Sequence, residues 1–376
     1  MGEAIYMGKL RREHAGSLQK CHFVRGIITS TLNRNCGIGQ YTEKLAQHLK
    51  PKLDSLKVFR KDNPDQELFY TYPYRSFRSM QHYVAPFFLS KSIKKLDADI
   101  WHADYLGAYY GVELAGITQP KIVTVHDAIP FHYPGSKPDF KIYKYQLKKA
   151  IRSAKYLVVV SESAKQDLIQ KTGMDSKKVV AIPNGLPFGE LTTHPKHNNR
   201  FTIRYLGGLG APHKNVKLLL EAARLLEDRC LDFVIEIGGY APEKFFLKDL
   251  AKEWGLKSVR FVGFIPDEEK SKFLGSADLF AYPSLMEGFG FPPMEAMGCG
   301  TAVISTDIPV FKELLGDAVL MSAPEPENFA DNIEKLMKNQ ILLEEYAAKG
   351  LEKVKKYTWS RAAERTLEVY HSAISK

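Results

Sequence analysis

The chain alternates short apolar runs rich in β-branched residues with longer segments whose apolar positions recur at helical spacing. The runs predict strands at Val24–Ser30, Leu56–Phe59, Asp99–His102, Ile122–His126, Tyr156–Ser161 and Val179–Ile182. A second series follows at Thr202–Leu206, Asp232–Ile237, Val259–Val262, Leu279–Tyr282, Ala302–Ser305 and Ala318–Met321. Parallel strands need crossovers of a dozen or more residues, and helical stretches fill those intervals, so each series can build its own doubly wound α/β sheet. Between the series lies Pro183–Arg200, with Asn184 and Gly185 as turn residues and a nearly apolar-free run from Thr192. That composition marks a linker. The final stretch Tyr357–Lys376 reads as a helix with Ser360 as its N-cap.

Length changes this picture little: 376 residues with 44% hydrophobic content suit two domains better than one. The division expected is an N-terminal extension over 1–20, a first domain over 21–190, a linker over 191–200, a second domain over 201–356 and a terminal helix over 357–376 that crosses back to the first domain. Two sheets facing each other would put their strand C-termini along one cleft, where open α/β sheets bind ligands.

Charge is unevenly placed. Residues 1–200 carry 31 Lys and Arg against 17 Asp and Glu, and the remainder 22 against 26. A basic first half attracts phosphate-bearing or anionic-lipid partners, and equally suits a solvated surface. Cys21, Cys36, Cys230 and Cys299 form no C-x-x-C pair and are too few to staple the chain, which points to free thiols and a reducing, cytoplasmic setting. No apolar run reaches spanning length or resembles a secretory signal.

The stretch SLMEGFGFPPMEAMGCGTAVIST, Ser284–Thr306, follows a predicted strand and runs through a glycine loop into a helix and another strand. Pro292 and Pro293 suit a first helical turn. Gly288 and Gly290 would let backbone approach a ligand, and the helix N-terminus favours phosphate oxygens. Glu295, read into that first turn, can accept two adjacent hydroxyl protons, as a ribose diol offers, although any Glu there also complements the helix dipole. Glu287, before the glycines, can reach a sugar.

This string resembles glycosyltransferase family 4, whose signature is two Glu separated by seven residues around a Gly-Phe-Gly loop. The resemblance extends over nearly all the chain after Cys21. It implies the GT-B fold, two Rossmann-like doubly wound domains facing a cleft, and transfer of a hexose with retention from a nucleotide sugar of the GDP-mannose or UDP-hexose type. The acceptor would be a hydroxyl of a glycan or a lipid-linked saccharide. It assigns the nucleotide ribose to Glu295, the donor sugar to Glu287 and His126, and the diphosphate to Lys214. Backbone at Gly37, Gly39, Gly288, Phe289 and Gly290 would complete the donor site. Many relatives add an Arg near Lys214, but those places hold Gly208 and His213. Ser161, in VVVSESAKQDL, would line the cleft, and IPNGL at Ile182–Leu186 also matches family segments. Neither a prosthetic group nor a metal is expected: Asp97 and Asp99 have Asp-x-Asp spacing at a strand entry, and His102, His126 and His132 lack zinc-ligand spacing.

Two competing classes remain. One is a GT-B phosphorylase or epimerase, for which no cofactor-lysine motif stands out. The other is a basic binding protein without catalysis, but the charge comes without a nucleic-acid module, so nucleic acid is not an expected partner. Within Tyr74–Lys95 aromatic and cationic residues mix as in a surface-seeking helix, pointing to peripheral contact with an anionic membrane. The alternative is that Tyr83, Val84, Phe87, Phe88 and Ile93 pack inward.

Overall fold

A computed structural model describes residues 24–32, 37–61, 68–72, 81–187, 189–196, 198–240 and 246–375, with only the backbone of 81–83. Expectations for residues 1–20, Cys21, Cys36 and the segment from Tyr74 to Met80 lie outside the described residues.

The first sheet comprises β1 Arg25–Thr29, β2 Ser55–Arg60, β3 Phe69–Thr71, β4 Ile100–Ala103, β5 Lys121–Thr124, β6 Tyr156–Val159 and β7 Val179–Ala181, ordered β3-β2-β1-β4-β5-β6-β7. The second comprises β8 Phe201–Leu206, β9 Phe233–Gly238, β10 Val259–Gly263, β11 Leu279–Tyr282, β12 Ala302–Thr306 and β13 Leu320–Ser322, ordered β10-β9-β8-β11-β12-β13. Every pairing is parallel. The periodicity located all of these except β3, a three-residue edge strand in which only Phe69 is buried. Three residues, one of them buried, are too few to register as an apolar run.

In the first half the crossovers are α1 Gly37–Leu49, α2 Gln81–Ile93, α3 Leu106–Leu114, α4 Ile129–His132, α5 Lys137–Ser153 and α6 Glu162–Thr172. In the second they are α7 Lys217–Asp228, α8 Phe246–Glu253, α9 Asp267–Gly275, α10 Phe291–Gly298 and α11 Pro309–Leu314, and the helices α12 Pro326–Lys338, α13 Gln340–Val354 and α14 Trp359–Ile374 follow the last strand. Local chemistry sets several boundaries. Ser161 caps α6 by accepting from the Ala164 amide, and Gly173 closes the same helix in the left-handed conformation at φ +66°.

The chain passes from the first folding unit to the second and then returns to the first. Residues 182–200 hold one bridge, Leu186 to Thr358, and α14 then packs on α1 through Tyr41, Trp359, Ala363 and Tyr370. A Cβ on Gly185 would fall 2.1 Å from the Trp359 nitrogen, so glycine is what lets the two segments cross. The Tyr370 hydroxyl reaches His102 Nδ1 at 2.9 Å, and His102 Nε2 reaches Thr124 Oγ1 at 2.8 Å, which staples α14 to the centre of the first sheet. The cap of α14 is Thr358, whose side chain accepts from the Arg361 amide, and not Ser360, which bonds Glu364 inside the helix. Ser360 lost that role because the chain is already held at Thr358 by the bridge to Leu186.

On α2, Ala85, Leu89 and Ile93 are buried, Val84 and Phe88 are half-buried, and Phe87 is 50% exposed. Of the residues in the packing alternative, Ile93 is thus buried, Val84 and Phe88 are half-buried, Phe87 is exposed, and the side chain of Tyr83 lies outside the described residues. Among the described residues no helix is long and apolar enough to cross a membrane.

Candidate functional site

Each strand order reverses once, between β1 and β4 in the first sheet and between β8 and β11 in the second. Loops leaving such adjacent strands in opposite directions open a crevice at their C-terminal ends. Here the two crevices face each other across a cavity of about 620 Å³, lined from the first sheet by Leu32, Tyr105 and His126 and from the second by Gly207, Lys214 and the Glu287–Pro292 loop.

Lys214 ends a short 3₁₀ turn that Asn215 closes at φ 49°. Its Nζ lies 2.6 Å from Glu287 Oε1 and donates to the Tyr282 hydroxyl at 3.0 Å. Burial opposes the ammonium charge most strongly of any single influence, but Glu287 together with Tyr205 and Asp127 outweighs it and the Lys214 pKa is raised. The lysine thus stays cationic within a largely buried pair whose side chains are 18% and 8% exposed. Glu287 and Lys214, which the resemblance assigns to different parts of a donor, are direct partners.

The motif glycines serve a purpose besides ligand approach. A Cβ on Gly288 would stand 2.3 Å from the His126 carbonyl oxygen, and one on Gly290 2.6 Å from the Phe311 ring, with Gly290 also at φ +86°. The loop is therefore pressed against the first sheet's β5 end on one side and α11 on the other. Gly290 is the N-cap residue of α10 and no side chain caps that end. Because Pro292 and Pro293 carry no N–H, Phe291 and Met294 supply the donors remaining in the first four residues.

Glu295 is the fifth residue of α10, so it does not sit in the first turn as read from sequence. It is buried, and its Oε1 accepts from Lys270 Nζ at 2.9 Å, with Lys270 on α9 only 14% exposed. A buried, paired carboxylate one turn in does more than complement a dipole. Lys270 also lines the cavity and keeps its charge, since Glu295, with Asp267 and Glu190, overcomes the burial that opposes it. Sequence reading missed this residue. It belongs to the run EEKSK, which looks like a solvated helix face, and only the packing of α9 on α10 turns it inward.

His213 does not supply a second cation: burial, and next the Lys214 charge, lower its pKa. It acts through its backbone instead, its carbonyl accepting from the Leu285 amide at 2.7 Å and from Ser284 Oγ at 3.1 Å.

On the facing side, His126 Nε2 contacts the Asp104 carbonyl oxygen at 2.9 Å. A carbonyl only accepts, so Nε2 carries the proton and Nδ1 the lone pair. Burial pushes the ring pKa down to about 4, so His126 is neutral near pH 7. Asp127 Oδ1 accepts from the Ile129 amide, and burial raises its pKa to about 6. Gly37 opens α1 at the cavity, where an added Cβ would meet nothing, whereas Gly39 is buried within the helix. Ser161 is fully buried and donates to the Gly288 carbonyl at 2.7 Å, tying α6 to the motif loop. Phe289 is buried against Phe291 and Tyr357 and lines the cavity. Asp97 and Asp99 both pair with Arg25 at 2.9 Å.

Comparison with known proteins agrees with this geometry. Residues 36–188 match the model described as Glycosyltransferase Family 4, and residues 193–353 the model described as Glycosyl transferases group 1. The chain is 30% identical over 219 residues to the O-antigen chain mannosyltransferase RfbU of Salmonella typhimurium, covering 57% of this chain and 61% of that protein. It is 30% identical over 225 residues to the phosphatidyl-myo-inositol mannosyltransferase of Mycobacterium leprae, covering 57% and 58%. The matched span is thus about three fifths of those relatives' own lengths. Among solved structures, sucrose-phosphate synthase from Thermosynechococcus elongatus superposes with a TM-score of 0.78 at 16% identity over 93% of this chain and 99% of the other. HepE of Anabaena, in complex with UDP and glucose, gives 0.75 at 19% identity over 93% and 100%. With two consecutive family models spanning most of its length and this two-sheet architecture, the chain belongs to the group 1, family 4 glycosyltransferases of GT-B fold.

Proposed function

We propose that the protein is a retaining hexosyltransferase that moves mannose from a nucleoside diphosphate sugar, with GDP-mannose as the first choice, to a hydroxyl of a glycan or lipid-linked saccharide. The observation that carries this reading is the pair of lysine–glutamate contacts in one cavity, Lys214 with Glu287 and Lys270 with Glu295. Each carboxylate is neutralised by its lysine, whose remaining N–H donors can take diphosphate oxygens while the glutamate oxygens accept from hydroxyl groups. Relatives named as mannosyltransferases support mannose. A UDP-hexose is the second reading, supported by the UDP complex of HepE.

In this mechanism Lys214, Lys270 and the amides of the Gly288–Phe291 loop offset charge that grows on the departing diphosphate, a role preorganised donors perform best away from water. Glu295 accepts from the ribose diol. Glu287, held by Lys214 at 2.6 Å, is a poor nucleophile and orients the hexose. His126, neutral with its proton committed to Asp104, offers Nδ1 as an acceptor to a sugar hydroxyl. None of these groups is a free general base, so the acceptor proton passes to a donor phosphate oxygen on the face the leaving group vacates, which retains configuration. The test is a binding and hydrolysis screen of GDP-, UDP- and ADP-sugars with Glu295→Ala alongside. Donor hydrolysis that survives unchanged in that variant removes the ribose assignment.

A further inference from the structure

A second chamber of about 620 Å³ adjoins the donor cavity, and Asp127 and Glu287 line both, forming the partition between them. One wall is a single face of α6. Ser163, Gln166, Asp167 and Gln170 stand at positions i, i+3, i+4 and i+7 of one helix face, and all line the chamber. His132 Nε2 holds Asp167 Oδ1 at 2.9 Å, fixing that carboxylate. The opposite wall comes from the second sheet and is apolar, with Leu285, Met286, Ile308 and Val310. Glu313 of α11 keeps the walls together: its carboxylate accepts from the Glu162 amide at 2.8 Å and the Ser163 amide at 2.7 Å.

The two chambers divide by charge. The donor cavity holds Lys214 and Lys270, whereas the described residues lining the second chamber include no Lys or Arg but do include Asp127, Asp167 and Glu287. A phosphate there would meet Asp127 and Asp167 with no Lys or Arg on the lining, and the neighbouring Lys214 ammonium is already paired with Glu287 on the donor side. A pyranose suits it better, since its hydroxyls can donate to carboxylate and amide oxygens along one edge while its C–H face covers apolar side chains.

We propose that this second chamber is the acceptor subsite and that it takes an uncharged saccharide, gripped by Gln166, Asp167 and Gln170 against the apolar wall of the second sheet. The inference rests on the glycosyltransferase reading and adds the acceptor's chemical class. An acceptor hydroxyl oxygen entering past the Asp127–Glu287 partition bonds the anomeric carbon. The bond from that carbon to the diphosphate breaks with its electron pair leaving on the diphosphate, and the hydroxyl proton goes to a phosphate oxygen. Any anionic part of a larger acceptor then lies outside the chamber.

The experiment measures nucleoside diphosphate release by the full chain, using the nucleotide sugar it hydrolyses fastest. Release is followed without acceptor and with millimolar methyl α-mannoside, α-mannobiose or mannose 6-phosphate. The neutral sugars should accelerate release and yield a glycoside, and the sugar phosphate should not. A Gln166→Ala/Gln170→Ala variant should lose that acceleration by roughly tenfold or more while acceptor-free hydrolysis stays within about twofold. Val310→Trp, which fills the chamber from the other wall, should do the same and covers the case in which the α6 variant misfolds. Acceleration by mannose 6-phosphate alone, no acceleration by either neutral sugar, or full acceleration in both variants overturns the proposal. Absence of any nucleotide-sugar hydrolysis or binding by the wild type overturns the glycosyltransferase reading beneath it instead.

Discussion

Lys270 Nζ stands 2.9 Å from Glu295 Oε1, joining α9 to the helix that begins at the motif glycines. Removing the lysine strands a carboxylate that is only 6% exposed. Lys270→Ala should therefore weaken nucleotide binding by roughly 10–100-fold, the range for a charge-assisted hydrogen bond. Glu295→Gln should cost a similar amount, and the double variant less than the product of the two. Isothermal titration with the nucleoside diphosphate measures all three. Additive losses would mean that the two residues bind independently.

Gly288 is fixed by contact between the two sheets. With the His126 carbonyl oxygen only 2.3 Å from where a Cβ would stand, Gly288→Ala must push the loop away from β5 and stretch the 2.7 Å bond from Ser161. A destabilisation of about 1–3 kcal/mol is expected, in line with overpacking elsewhere. Catalysis should fall further than stability, because the loop amides move with it. Thermal unfolding and donor hydrolysis on one preparation separate the two effects.

Glu313 spans the cleft to the N-terminus of α6, taking three hydrogen bonds including one from Ser163 Oγ at 2.6 Å. Glu313→Ala should free the second sheet to swing from the first. Small-angle scattering is expected to give a larger radius of gyration without ligand and a return toward the wild-type value with saturating nucleotide. Identical scattering curves for variant and wild type would show that other contacts hold the cleft shut.

Asp104 is fully buried beside Thr42, and burial raises its carboxyl pKa to about 7. A folded-state pKa above the unfolded one means that the neutral acid's contribution is complete below about pH 4 and is lost as pH rises through 7. Asp104→Asn should remove that loss. The melting temperature of the variant, relative to wild type, should climb by a few degrees between pH 5 and about 8. His126, pushed down to about 4, works in the opposite sense, since its contribution is lost as pH falls from its unfolded value of 6.5 toward 4. His126→Gln should accordingly flatten the acid limb of the same melting curve. A parallel pH profile in either variant would contradict the corresponding assignment.

Sequence by itself determined the alternation of strands and helices, because short apolar runs rich in β-branched residues and helical hydrophobic patterns are local and survive whatever packs against them. It also located the motif loop, since Gly288, Gly290, Pro292 and Pro293 lie within one short stretch with strong backbone preferences. Tertiary structure decided the rest. The partners of Glu287 and Glu295 come from 73 and 25 residues away in sequence, and no local pattern links a motif carboxylate to a lysine on another element. Lys270 in EEKSK resembles its solvated neighbours until α9 is laid on α10, when burial makes its charge dependent on Glu295. The second chamber has the same origin. Its polar stripe on α6 and its apolar wall at Ile308 and Val310 look like ordinary helix surfaces and become a binding site only when two sheets face each other.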